Sequence, residues 1–171
     1  MTAVPRRLLI SGVPGAGKSR FVDWLVQTQG FSALKADDGG PLFNAVWSAA
    51  RSGHALALRM SLLPWMNRSL VIELGFVPDE PSVSGVLNFI AAGFDAWWFS
   101  ADYPDAFHAW REAKGQTDHV QGFYLQIGKI VSHWPEIASL YREQIIHTLQ
   151  GGKHMPPQEI AALIGKSQSK N

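Results

Sequence analysis

The sequence contains no cysteine in 171 residues. That excludes disulfides and thiolate metal sites, and it points to a reducing compartment such as the cytoplasm. An excess of one charge is also missing: 15 Lys and Arg stand against 14 Asp and Glu, for a net charge of +1. A chain so balanced has no general attraction for a nucleic-acid backbone or an anionic membrane, and Arg6-Arg7 is its only basic pair. No apolar run approaches the length of a membrane span. Leu8-Leu9-Ile10 after the two arginines breaks at Ser11-Gly12, too short for the apolar core of a signal peptide. The six histidines are dispersed and none falls into an H-E-x-x-H spacing, so no structural metal is expected. No repeat or composition break marks an internal boundary. One domain over residues 1–165 is expected, with a polar tail at 166–171. A chain of this length buries about 70% of its unfolded surface.

Against these absences stands one specific pattern. Gly12-Val13-Pro14-Gly15-Ala16-Gly17-Lys18-Ser19 matches G-x-x-x-x-G-K-[ST] at every fixed position. With glycine near 7% of ordinary sequence, a chance match in a chain of this length is an event of about 1% or less. The context is also right. Leu8-Leu9-Ile10 before it reads as a buried parallel strand, and Phe21, Val22, Leu25 and Val26 after it recur at helical spacing. A loop between a strand and a helix N-terminus aims several N–H groups and the positive end of the helix dipole at one point. Lys18 would then reach the β/γ-phosphates, and the Ser19 hydroxyl would ligate Mg²⁺. The expected nucleotide-binding set is therefore Gly12, Val13, Pro14, Gly15, Ala16, Gly17, Lys18, Ser19 and the following Arg20.

The rest of the chain alternates strands with helices. Strands are expected near 6–11, 31–36, 70–74, 96–99 and 144–149, although 141–149 also suits a continued helix. Helices are expected over 17–29, 42–51, 55–66 (bent at Pro64), 82–92 with Ser82 as cap, 105–114, a segment after Asp118, 136–141 and 157–164. Asp118 is expected to cap the helix that follows it. Strands separated by helices imply parallel crossovers and a three-layer α/β/α fold. The tryptophans and the stripe Phe123-Tyr124-Ile127-Ile130 read as core.

The P-loop, together with Lys35-Ala-Asp-Asp-Gly-Gly40, Val71-Ile-Glu-Leu-Gly-Phe76, Trp98-Phe-Ser-Ala-Asp-Tyr-Pro-Asp…Arg111 and Ile146-His-Thr-Leu…Pro157-Gln-Glu-Ile160, resembles the P-loop kinases. That group includes shikimate and gluconate kinases, chloramphenicol phosphotransferase and zeta-toxin-like kinases. The resemblance implies a five-stranded parallel sheet of order 2-3-1-4-5, with ligands at the C-terminal strand ends beside the P-loop. It also implies roles. Asp37 and Asp38 fall where an acidic residue faces the acceptor hydroxyl, and which of the two points inward is left open. Asp-Asp-Gly-Gly is equally ordinary turn chemistry. Glu73 closes an apolar strand in the manner of a Walker B residue and is a candidate Mg²⁺ ligand. Arg111 begins the lid and would stack on adenine or touch phosphate, with Lys114 and Lys129 as further cations in a lid poorer in arginine than the family's. Gly152 would wrap the adenine through its backbone.

The function so implied is transfer of the γ-phosphate of ATP, with Mg²⁺, to a hydroxyl of a small molecule. The acceptor would be clamped between Asp37-Asp38, the Glu73 region and an apolar insert at 42–67. A nucleotide-binding switch or adaptor with slow or no hydrolysis is the alternative. A nucleic-acid end kinase is disfavoured by the charge balance.

Overall fold

The computed structural model describes residues 4–75, 79–115 and 120–168. Six strands form one sheet: β1 (Arg7–Gly12), β2 (Ser32–Lys35), β3 (Leu70–Glu73), β4 (Asp95–Ala101), β5 (Ile145–Gln150) and β6 (Lys153–His154). Their order is β2-β3-β1-β4-β5-β6. The first five are parallel, in the order 2-3-1-4-5 expected from the resemblance, and β6 adds an antiparallel edge. The sixth strand corrects the five-stranded expectation. Its cause is local: Gly151 and Gly152 both take positive φ, 57° and 71°, which a two-residue hairpin turn demands, so the chain returns along β5.

The helices are α1 (Lys18–Gln29), α2 (Pro41–Arg51), α3 (Ala55–Ser61), α4 (Glu80–Ala91), α5 (Tyr103–Lys114), α6 (Val120–Ser132), α7 (Trp134–Tyr141) and α8 (Pro157–Gln168). Short 3₁₀ turns occupy Ala36–Asp38 and Leu63–Trp65. The bend at Pro64 is thus a full break after Ser61, since proline cannot donate to the preceding turn. Asp79 rather than Ser82 caps α4: its carboxylate accepts the Ser82 N–H at 2.8 Å. The helix ending at Tyr141 stops at Arg142, whose φ is +50°, and the following residues form β5, which resolves the open choice at 141–149 in favour of a strand. α8 runs on through Gln168, past the expected start of the polar tail. The expected Asp118 cap, and residues 76–78 of the turn expected over 75–81, lie outside the described residues.

The sheet is buried on both faces, and its central strands are correspondingly apolar. Leu8, Leu9 and Ile10 of β1, Val71 and Ile72 of β3, and Trp97, Trp98 and Phe99 of β4 are all buried. Trp98 packs against Tyr141 and Trp134 of α7, and Phe99 against Phe21 of α1. Each such side chain contributes about 1.5–3 kcal/mol by burial. Of the stripe on α6, Phe123, Ile127 and Ile130 are core, whereas Tyr124 is exposed. Among the described residues no helix is long and apolar enough to cross a membrane.

Candidate functional site

Register brings the site together at the C-terminal ends of three adjacent strands. Ile10 of β1 pairs with Glu73 of β3, and Glu73 pairs with Lys35 of β2, so the P-loop, Glu73 and the Ala36–Asp38 turn leave the sheet side by side.

The loop itself is held by main-chain packing. The Val13 N–H donates to the Phe99 carbonyl at 2.9 Å. Gly12 has φ +145°, and a Cβ there would lie 2.1 Å from the Phe99 carbonyl oxygen. Gly15 has φ +83°, with the Ala106 carbonyl oxygen 2.1 Å from where its Cβ would be. Both positions therefore exclude any side chain. The buried Thr148 hydroxyl of β5 lies 2.7 Å from the Ala16 carbonyl and 3.2 Å from that of Ser100, tying the loop to β4 and β5. Gly17 caps α1 at φ +86°, with no side-chain hydrogen bond to the helix N-terminus. Lys18 Nζ donates to the carbonyls of Val13 and Gly12 at 3.0 and 3.2 Å. Burial pulls its pKa below the ordinary lysine value, while Glu73 and Asp37 push it back up. A partly desolvated ammonium beside a ring of amides is suited to a polyanion.

Ser19 donates its hydroxyl to Glu73 Oε1 at 2.6 Å. Glu73 is buried, its Oε2 has no hydrogen-bond partner, and burial raises its pKa against the opposing pull of Ser19, Lys18 and Lys35. A hydroxyl and a carboxylate with one unpaired buried oxygen, next to a phosphate cradle, fit Mg²⁺. That ion takes one or two carboxylates and fills its shell with water and phosphate oxygens. Among the described residues no group of three His, Asp or Glu could hold a metal alone.

One cavity of about 580 Å³ joins these groups. The P-loop and the start of α1 line it with Pro14, Gly15, Gly17, Lys18, Ser19 and Arg20, and the rest of the lining includes Asp37, Glu73, Trp110, Lys114 and Gln126. Asp37 lines it and Asp38 does not. Lys114, at the end of α5, reaches across to Asp37 Oδ2 at 3.1 Å. Both partners are more than half exposed, so the pair contributes only about 0–1 kcal/mol. Arg111 lies outside the lining: its guanidinium sits over the Phe107 ring, 5.6 Å from the centroid. Gly152 is also outside it, its N–H donating to Asp105 Oδ2 at 2.9 Å and pinning the β5–β6 turn to α5. Nothing from residues 42–66, the expected acceptor clamp, lines this cavity.

Several contributors carry weak sequence signals. Thr148 stands between His147 and Leu149, and Gln126 between Leu125 and Ile127, and neither takes a role from the sequence alone. His154 sits on the short β6, with its Nδ1 buried, without a partner, and 2.9 Å from where a Gly17 Cβ would be. Burial and then Arg20 lower its pKa, against a smaller pull from Glu112. The Gly151-Gly152 pair is the one signal that could have located His154, since it dictates a hairpin.

No protein-family model matches the chain, and no curated protein matches it significantly. Solved structures do. A gluconokinase from Sinorhizobium meliloti 1021 superposes with a TM-score of 0.55 at 13% identity, covering 98% of each chain. A shikimate kinase from Bacteroides thetaiotaomicron does so with a TM-score of 0.56 at 14% identity, over 96% of this chain and 97% of that one. A shikimate kinase from Acinetobacter baumannii in complex with shikimate gives 0.55 at 17% identity, over 96% and 95%. The chain has the P-loop kinase fold of the shikimate and gluconate kinases, as its motifs implied.

Proposed function

We propose that this protein is an ATP-dependent kinase that phosphorylates a hydroxyl group of a small molecule. The observation that carries the proposal is a single cavity lined by Lys18, the Ser19–Glu73 pair and Asp37 together. Phosphoryl transfer needs little covalent chemistry from a protein; it needs positioned charge and a base within reach of the hydroxyl.

In this reading the amides of residues 12–19 hold the polyphosphate and Lys18 turns from its own loop carbonyls to the β/γ-phosphates. Ser19 and Glu73 would hold Mg²⁺, which neutralises phosphate charge when bound. Asp37 accepts the acceptor's hydroxyl proton as that oxygen bonds to the γ-phosphorus. The bond from phosphorus to the bridging oxygen breaks, and its electron pair leaves on ADP. Trp110 and Gln126 would pack against and orient the acceptor. Fold likeness to a gluconokinase and to shikimate kinases supports a small hydroxylated acceptor.

A second reading, a nucleotide-binding switch, draws on one observation: Arg111 stacks on Phe107 instead of lining the cavity. The two separate in one experiment. Calorimetry with MgATP and MgGTP establishes nucleotide binding, and a coupled ADP assay over a metabolite panel then reads acceptor dependence. A hydroxylated metabolite that stimulates ADP release supports the kinase; nucleotide binding with no stimulation by any member favours the switch.

A further inference from the structure

We propose that Lys114 is a catalytic cation that serves two partners in turn, held by Asp37 in the free protein and passed to the transferring phosphoryl group during reaction. The inference rests on the kinase reading and adds a second cation to the cavity that Lys18 lines.

Four observations converge on it. Lys114 is the last residue of α5 and lines the same cavity as Lys18, Ser19 and Glu73. Its charge also bears on Lys18, though as the least of the influences that set the Lys18 pKa. Its partner in the structure is Asp37, the aspartate of the pair that faces the cavity. The bond between them is solvent-exposed on both sides and hence weak.

The chemistry requires what this arrangement offers. A transferring phosphoryl spreads negative charge over three equatorial oxygens, and cations aimed at those oxygens account for much of the acceleration. Lysine carries three donors on a flexible four-carbon stem, so it can change partner without backbone motion. While Lys114 donates to Asp37, that carboxylate oxygen faces an ammonium rather than an acceptor hydroxyl. When Lys114 transfers to the phosphoryl oxygens, Asp37 is released at the moment its lone pair is needed. The proton balance is simple: the hydroxyl proton moves to Asp37, the acceptor oxygen bonds to phosphorus, the bridging bond breaks toward ADP, and Lys114 stays protonated throughout. The exchange also predicts restraint, because Asp37 stays engaged until the phosphoryl group competes for Lys114.

The test compares wild type, Lys114→Ala, Lys114→Arg and Asp37→Asn by calorimetry, using MgADP alone and MgADP with aluminium fluoride as a mimic of the transferring phosphoryl. All four proteins should bind MgADP within about twofold of one another, since neither residue belongs to the amide cradle. The fluoride complex should weaken about tenfold or more in Lys114→Ala. It should be largely restored in Lys114→Arg and tightened severalfold in Asp37→Asn, where the competing carboxylate is gone. These opposite signs are the signature of exchange. A pair that only latches α5 would shift both variants the same way, or neither, and that result overturns the inference, as does a wild type that gains nothing from fluoride. Failure of every variant to bind MgADP strikes the kinase reading beneath it instead.

Discussion

The two walls of the cavity are held by different forces. The phosphate wall is fixed by main chain: Gly12 and Gly15 approach the carbonyls of Phe99 and Ala106 where no Cβ fits, and Thr148 ties Ala16 to the sheet. The acceptor wall is fixed by side chains. Asp37 and Lys114 meet with more than half of each side chain exposed. A backbone wall tolerates almost no change in shape, whereas exposed side chains such as Asp37 and Lys114 can be altered without disturbing the core. A constant phosphate group and a variable acceptor would call for that division.

The largest effects should come from the phosphate wall, and they separate shape from charge. Gly12→Ala drives a Cβ into the Phe99 carbonyl at a φ of +145°, so urea denaturation should show a loss of about 3 kcal/mol or more, with the Val13–Phe99 hydrogen bond broken. Lys18→Ala should leave the fold intact, because its Nζ bonds only loop carbonyls, yet cut acceptor-dependent turnover about 10³-fold or more. A folded Lys18→Ala protein with normal turnover would remove the phosphate role from this wall.

Next in size is Asp37→Asn. Loss of a positioned base lowers turnover about 10²–10⁴-fold. The exposed side chain should change unfolding free energy by no more than about 0.5 kcal/mol. MgADP affinity should hold, which distinguishes this wall from the other. A steady-state ADP assay paired with calorimetry reads both.

The same division explains what was legible beforehand. The cradle could be read because its determinants are contiguous: three glycines, a lysine and a serine within eight residues, flanked by a strand and a helix whose periodicities differ. Strand order followed from the resemblance once the P-loop was recognised. Glu73 was legible because a charge ending an apolar strand is costly unless it has work or a partner, and Ser19 is that partner. The acceptor wall was legible only in part: Asp37, Glu73 and Lys114 carried signals, whereas nothing local says that Trp110 and Gln126 converge with them. The choice between Asp37 and Asp38 turns on the Ala36–Asp38 3₁₀ turn. The choice between Arg111 and Lys114 turns on a difference of three residues along α5, which directs one toward Phe107 and the other toward Asp37. The insert at 42–67 is apolar enough to suggest a clamp, but its buried members Phe43, Val46, Ala50, Leu58 and Leu62 join the core instead.

A smaller effect sharpens the comparison through pH. Burial raises the pKa of Glu73 above its ordinary 4.5, so the folded state favours the protonated acid. Stability from that source is complete below pH 4.5 and is lost as pH rises through the folded pKa. Glu73→Gln keeps an oxygen to accept from Ser19 but carries no charge. Without Mg²⁺ or nucleotide, it should melt higher than wild type at pH 7–8, with the difference closing as the buffer is taken below pH 4.5. It should simultaneously lose the Mg²⁺-dependent part of nucleotide affinity. A variant that melts lower at pH 8 would mean Glu73 is a structural anchor and not a charge kept for a cation.

The smallest expected effect is the most discriminating. Asp38 is exposed, lies beside Asp37 in the same turn, and lines no part of the cavity. Its one resolved influence is on Lys35, where burial lowers the pKa but the bond and charge of Asp23 outweigh it, with Asp38 the least of the contributors. Asp38→Asn should therefore leave kcat and KM within about twofold of wild type, and stability within about 0.5 kcal/mol. Set against Asp37→Asn, that is a contrast of two or more orders of magnitude between adjacent, chemically identical residues, which no difference in net charge can produce because both variants lose one negative charge. If the loss instead falls on Asp38→Asn, the base moves one residue along the turn. Lys114 then holds a bystander, and the acceptor wall has to be rebuilt around the other carboxylate.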